Sequence, residues 1–130
     1  MPTNHDIVAA HYAAGEAGDL EGMLAPIRPK TRWIESAGFP TGGTYVGRDE
    51  ILPGVFGALN ELFDGFGFQL ESLHDAGDTQ VAIGDYVGTA RATGKPFRAR
   101  VVHVWRFADG EFTEFEQFAD SATVMAVLQA

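Results

Sequence analysis

Cysteine is absent from this chain of 130 residues, which excludes a disulfide framework, a thiolate nucleophile and any cysteine metal site. Basic residues are scarce: nine Lys and Arg stand against eighteen Asp and Glu, for a formal net charge of −9. Nucleic acid and anionic membranes need a concentrated basic surface, so neither is expected as a partner. No segment approaches the roughly 18 apolar residues of a membrane span, and the start, MPTNHDIVAAHYAAG, lacks the basic and apolar regions of a secretory leader. The expected compartment is the cytoplasm. His5, His11, His74 and His103 do not stand at metal-ligand spacing, and no glycine-rich phosphate loop opens a helix, so neither a metal nor a cofactor is expected.

Apolar material is plentiful. Hydrophobic residues make up 45% of the chain, ten of them Phe, which is enough for one real core in a single domain spanning 1–130. The sixteen glycines are scattered between apolar runs as punctuation. Helical spacing of Ile7, Val8 and Tyr12 predicts a helix over 6–17, with Asn4 as its cap and Gly18 as its stop. A short helix at 20–24 and a strand at 31–36 follow, then a Gly/Pro-rich loop over 37–47 and a helix over 48–63. Period-two runs at 66–74, 79–90, 96–107 and 111–118 read as four strands joined by turns, and a helix over 121–128 is capped by Asp120. Strands joined this tightly are antiparallel, so the fold class is α+β, helices packed on one face of a curved sheet.

Within the run Arg100-Val-Val-His-Val-Trp-Arg-Phe, His103 is a polar residue in a strongly strand-like stretch. Burying it without a partner would cost roughly 1–3 kcal/mol, so either a neighbour such as Tyr86 or Glu35 satisfies it or something else binds it. Taking Thr93-Gly94 as a two-residue turn sets Tyr86 opposite Val101, Gly84 opposite His103 and Ala82 opposite Trp105. Tyr86, His103 and Trp105 then share a face with small residues among them, which leaves a hollow. The opposite face carries Arg98, Arg100, Val102, Val104 and Arg106, a surface for solvent or a second subunit. Trp33 and Glu35 share a face of the first strand. If that face is internal, desolvation raises the Glu35 pKa into a range useful for proton transfer; if not, Glu35 is a rim carboxylate paired with Arg32, Arg48 or Arg98. Gln117 alternates with Phe115 and adds an amide to the same hollow, a placement that a bulge after Gly110 would reverse. Gly42-Gly43 suggest a mobile loop over the mouth.

The segments EAGDLEGMLAP (16–26), Trp33-Ile-Glu35 with GGTYVGRDEI (42–51), GDYVGTARATGKPFRARVVHVWRFADGE (84–111) and FEQFADSATVMAVL (115–128) together resemble the NTF2-like superfamily, in its SnoaL-like and ketosteroid isomerase-like group. The resemblance covers nearly the whole chain. It implies a cone-shaped, strongly curved, mostly antiparallel sheet wrapped around N-terminal helices, and a homodimer formed through the outer sheet face. It further implies that Glu35 stands where ketosteroid isomerases keep their proton-shuttling carboxylate, and His103 where they keep a protonated acid that donates to the oxyanion. Their first-helix tyrosine lands on His11, with Tyr12 beside it. The Asp-Arg-Asp set of the superfamily's epoxide hydrolases has no counterpart, since His103 and Gln117 occupy those positions.

Two functions are open at this point. One is an isomerase-like or cyclase-like enzyme that needs no cofactor and acts on a small apolar carbonyl compound. Glu35 is its base and His103 its electrophile, in a pocket lined by His11, Tyr12, Trp33, Tyr86, Trp105 and Gln117. The other is a module in which the same pocket only binds a small hydrophobic ligand.

Overall fold

The computed structural model describes all 130 residues. Helix α1 (Asn4–Glu16) leads into α2 (Leu20–Leu24), strands β1 (Arg32–Glu35) and β2 (Gly43–Val46), and a helical stretch made of α3 (Gly47–Ile51), a π-helical turn (52–57) and α4 (Ala58–Leu62). Strands β3 (Phe63–Ala76), β4 (Thr79–Ala90), β5 (Pro96–Ala108) and β6 (Glu111–Ala119) then form a meander, and α5 (Ser121–Val127) ends the chain. One sheet contains all six strands in the order β2-β1-β6-β5-β4-β3. Every pairing is antiparallel except β1 with β6, where the earliest strand lies parallel to the last. No helix is long and apolar enough to cross a membrane.

The sheet buries one face. Along β5 burial alternates without a break from Phe97 to Phe107, with Val101, His103 and Trp105 inside and Arg98 and Arg100 outside. The inner face closes over α1 and α4 through a core that includes Val8, Tyr12, Leu59, Trp33, Trp105 and Phe115. Trp33 stacks on Phe115 with ring centroids 3.8 Å apart, which locks β1 against β6.

The two hairpins that shape the inner face differ from expectation in instructive ways. The β4–β5 loop holds four residues, not two: Ala90 and Lys95 close it, and Gly94 lies at φ 73°. The register is therefore displaced by two, with Tyr86 opposite Ala99, Gly84 opposite Val101 and Ala82 opposite His103. A displacement of two leaves every side chain on its face, so the inner set is unchanged. In β6 a bulge follows Arg106 on the β5 side and places Gln117 opposite His103 and Phe115 opposite Trp105. The bulge turns both residues inward, contrary to the expectation that one after Gly110 would turn them out.

Elsewhere, the capping box of α1 is built on Thr3 and Asp6, so Thr3 and not Asn4 is the cap. Gly18, at φ 71°, ends the helix, and the Asp120 side chain caps α5 through the Thr123 backbone N–H. The 48–63 helix is interrupted: Pro53 has no N–H to give, and the Ala58 N–H reaches back to the Pro53 carbonyl across a widened turn. Part of the 37–47 loop is a strand, β2, on the edge of the sheet.

Candidate active site

A cavity of about 680 Å³ opens between the helices and the inner sheet face. Its wall is apolar over most of its area, through residues such as Phe56, Phe66, Phe68 and Phe115. Set into that wall are five buried polar side chains from distant parts of the chain: His11 and Tyr12 from α1, Glu35 from β1, Tyr86 from β4 and His103 from β5, while Glu16, Asn60 and Gln69 are exposed at its mouth. A volume of this size suits a molecule of two or three fused rings.

Glu35 is an interior carboxyl, 3% exposed, and the rim pairing with an arginine is not formed: Arg32 binds Glu114 and Arg48 binds Glu21. Its Oε2 accepts from Trp33 Nε1 at 3.1 Å, and its Oε1 accepts from Thr41 Oγ1 at 2.8 Å and from Gln117 Nε2 at 3.3 Å. Burial disfavours the carboxylate more than these donors favour it, and the Glu35 pKa rises to about 7.

His103 sits between two tyrosines. Tyr12 Oη lies 2.7 Å from its Nδ1 and Tyr86 Oη lies 2.7 Å from its Nε2. Burial drives its pKa well below the usual histidine value, so the ring is neutral and carries one N–H. Trp105 Nε1 donates to Tyr12 Oη at 2.9 Å, and Gln117 Nε2 donates to Tyr86 Oη at 2.9 Å. The orientation of that amide is set by the Ser36 backbone N–H, which donates to Gln117 Oε1 at 3.0 Å. Burial raises the pKa of both tyrosines, so both hydroxyls keep their protons.

These contacts allow a proton count. The two hydroxyls and one imidazole N–H supply three protons, and the two tyrosine–imidazole contacts consume two. If His103 carries its proton on Nε2, Tyr12 donates to Nδ1 and the Tyr86 proton is free; if on Nδ1, Tyr86 donates to Nε2 and the Tyr12 proton is free. In either tautomer one tyrosine O–H has no acceptor in the protein, and both tyrosines line the cavity.

His11 is held differently. Its Nδ1 lies 2.9 Å from the carbonyl oxygen of Met23, an end-of-helix carbonyl that can only accept. Burial lowers its pKa to about 4.

The SnoaL-like domain model matches residues 8–115, most of the chain. The chain belongs to this family. Among solved structures, the SnoaL-like domain described here is similar to an NTF2-like protein of Burkholderia thailandensis, with 49% identity over 100% of both chains and a TM-score of 0.96. An NTF2-like protein of unknown function from Burkholderia pseudomallei is 28% identical over 100% of both chains, with a TM-score of 0.89. TerC, co-crystallised with polyporic acid, shares the fold at 24% identity over 95% of this chain and 96% of its own, with a TM-score of 0.84. The search of curated proteins returned no match.

Of the eight residues singled out from sequence, the SnoaL-like domain brings His11, Tyr12, Trp33, Glu35, Tyr86 and His103 to one cavity. Trp105 and Gln117 are fully buried behind the wall, and their hydrogen bonds reach it through the tyrosines and Glu35. Thr41 gave no sequence signal, because it sits in a Gly/Pro segment, yet it is buried and makes the shortest contact to Glu35. Nor is that loop loose over the mouth: Tyr45 Oη donates to the Thr41 carbonyl at 2.7 Å, and the Gly42 N–H bonds to the Phe39 carbonyl at 2.9 Å. The Tyr45 ring lies against Gly54, where a Cβ would stand 2.5 Å from it.

Proposed function

We propose that this SnoaL-like domain is an enzyme working without a cofactor, which moves a proton at the carbon next to the carbonyl of a small apolar ring compound. The carrying observation is Glu35, a carboxyl in the cavity wall whose burial holds its pKa near 7, where acid and base forms are both populated. In this reading the Glu35 carboxylate takes a C–H proton and the bonding pair moves into the carbonyl, giving an enolate. The free tyrosine proton hydrogen-bonds the oxygen that gains charge. Glu35 then returns its proton to a carbon, which isomerises the substrate, or the enolate carbon attacks a second carbonyl, whose oxygen takes the Glu35 proton as the ring closes.

His103 acts through the tyrosines, since both its nitrogens are taken. Its one N–H goes to one tyrosine and its lone pair takes the proton of the other, which leaves the first tyrosine's O–H free as the donor. In this reading the donor to the oxygen is a tyrosine hydroxyl and not the His103 ring to which the resemblance points.

The test is solvent deuterium exchange at the α-carbon of 2-tetralone, followed by NMR. The rate is expected to rise with pH through about 7, as Glu35 ionises, and Glu35→Gln is expected to lower it at least 100-fold with little change in affinity. The second reading, a pocket that only binds, is favoured by His103, whose two ring nitrogens are both held by tyrosines and so cannot reach a ligand. Binding of 2-tetralone with no exchange above background would establish it.

We further propose that the outer sheet face joins two copies. Half-buried Val81, Ile83, Val102 and Val104 and exposed Phe118 lie there outside the core. Arg98, Arg100 and Asp85 border this apolar stripe on one side and Arg106, Glu114 and Glu116 on the other, so a two-fold axis can set each charge against its opposite.

A further inference from the structure

The Met23 carbonyl fixes more than the position of His11. A carbonyl oxygen cannot donate, so the hydrogen in the 2.9 Å contact belongs to His11 Nδ1, and the neutral ring carries its lone pair on Nε2. No side chain bonds that nitrogen, although the residue is only 5% exposed. No buried side-chain nitrogen or oxygen is left sealed and unpartnered, so Nε2 opens onto the cavity that His11 lines. The ring cannot turn to satisfy it. Tyr12 packs edge-on at 5.0 Å between centroids and Trp105 edge-on at 4.7 Å, and a flip would break the bond to Met23.

The rest of the inner wall offers protons. Tyr12 or Tyr86 has one to give, and protonated Glu35 another, while the remaining lining there is largely aromatic. His11 Nε2 is the acceptor in this company whose state does not change with its neighbours. An apolar ketone leaves it unsatisfied, at the cost of a desolvated lone pair.

We infer that His11 Nε2 receives a hydroxyl of the ligand, so that the cavity selects a hydroxylated ring ketone over the same molecule with that hydroxyl methylated. This rests on the cavity being the ligand site, as above, and does not depend on proton transfer by Glu35.

Two measurements test it. With imidazole-¹⁵N-labelled protein at pH 7, long-range ¹H–¹⁵N correlation should show His11 with a protonated Nδ1 and a bare Nε2. Addition of 6-hydroxy-2-acetonaphthone should move the Nε2 signal, and 6-methoxy-2-acetonaphthone should leave it in place. In fluorescence titrations the hydroxy ketone should bind about tenfold more tightly than the methoxy ketone, and His11→Phe should bring the ratio to about one. A proton on Nε2, an Nε2 signal indifferent to the bound hydroxy ketone, or selectivity that survives in His11→Phe overturns the inference. If neither ketone binds, this inference and the carbonyl reading fall together. If the hydroxy ketone is selected but 2-tetralone shows no exchange, only the proton-transfer reading falls. Should His11→Phe fail to fold, the spectra of the unaltered protein decide.

Discussion

Glu35 makes the folded chain sensitive to pH in a direction opposite to most carboxylates. Its proton is held up to about pH 7 in the fold and released near 4.5 once unfolded, so stability falls as pH rises between those values. The full effect is about 3 kcal/mol. His11 works from the other side: the unfolded ring takes a proton near 6.5 and the folded ring only near 4, so stability falls as pH drops through that range. His103 acts in the same direction as His11. Two histidines outweigh one carboxyl below 6.5, and the carboxyl acts alone above it. Thermal melts are expected to show maximum stability near pH 6.5, and Glu35→Gln to flatten the decline on the alkaline side. A wild-type curve still rising from 6.5 to 7 would contradict the burial of Glu35. The location of this residue was half readable from sequence: Trp33 two places earlier points to an inner face, but the end of a short strand left a rim pairing with an arginine equally open. Its partner Thr41 was not readable, because six residues of turn carry no periodic signal.

At the scale of elements, strands β4 and β5 were legible almost to the residue, since alternating burial writes itself into sequence as alternating polarity. Register is harder, because it is set by the turn. Thr93-Gly94 reads as a two-residue turn flanked by Ala92 and Lys95, whereas the loop is the four residues 91–94, a difference carried by the Ala90–Lys95 hydrogen bonding. Strand β2 was hidden because an exposed edge strand of four residues, Gly43–Val46, has no buried alternation to display. Gly84 shows what the meander demands of one position. A Cβ there would collide with the Gln69 carbonyl of β3 and press on the Phe68 ring, and the backbone atom cannot move aside. Gly84→Ala is expected to cost about 2–3 kcal/mol in denaturant unfolding. Gly67→Ala is the contrast: its Cβ would meet only the Gly65 carbonyl, at 4.0 Å, and the change should stay within about 0.5 kcal/mol. Equal costs at the two positions would mean that the close approach of β3 to β4 is not what requires glycine.

For the whole molecule, the pairing proposed for the outer sheet face sets the expected state of assembly. Light scattering behind size exclusion is expected to give twice the 14.0 kDa mass of one chain, and Val102→Glu to return it to one. A wild-type protein at the mass of a single chain would remove the outer-face interface. The wedge of sheet and helices around one hollow was foreseeable from the order of elements together with the resemblance. The pairing that closes it, β1 beside β6, was not foreseeable from hydrophobic pattern, because the two strands are some eighty residues apart. Nothing local in either strand names the other.

That parallel pairing also bears on how the protein comes into being. As the chain leaves the ribosome, β1 and β2 emerge as a two-stranded hairpin, which is marginal alone, and the inner edge of β1 waits for a strand not yet made. Until β6 docks, Gln117 is absent, Phe115 does not cover Trp33, and Glu35 stands in water with the acidity of any glutamate. Its proton affinity thus reports the closing of the fold: the carboxyl becomes weak as an acid as the assembled sheet and helices take it out of water, against the pull of Gln117, which arrives with β6.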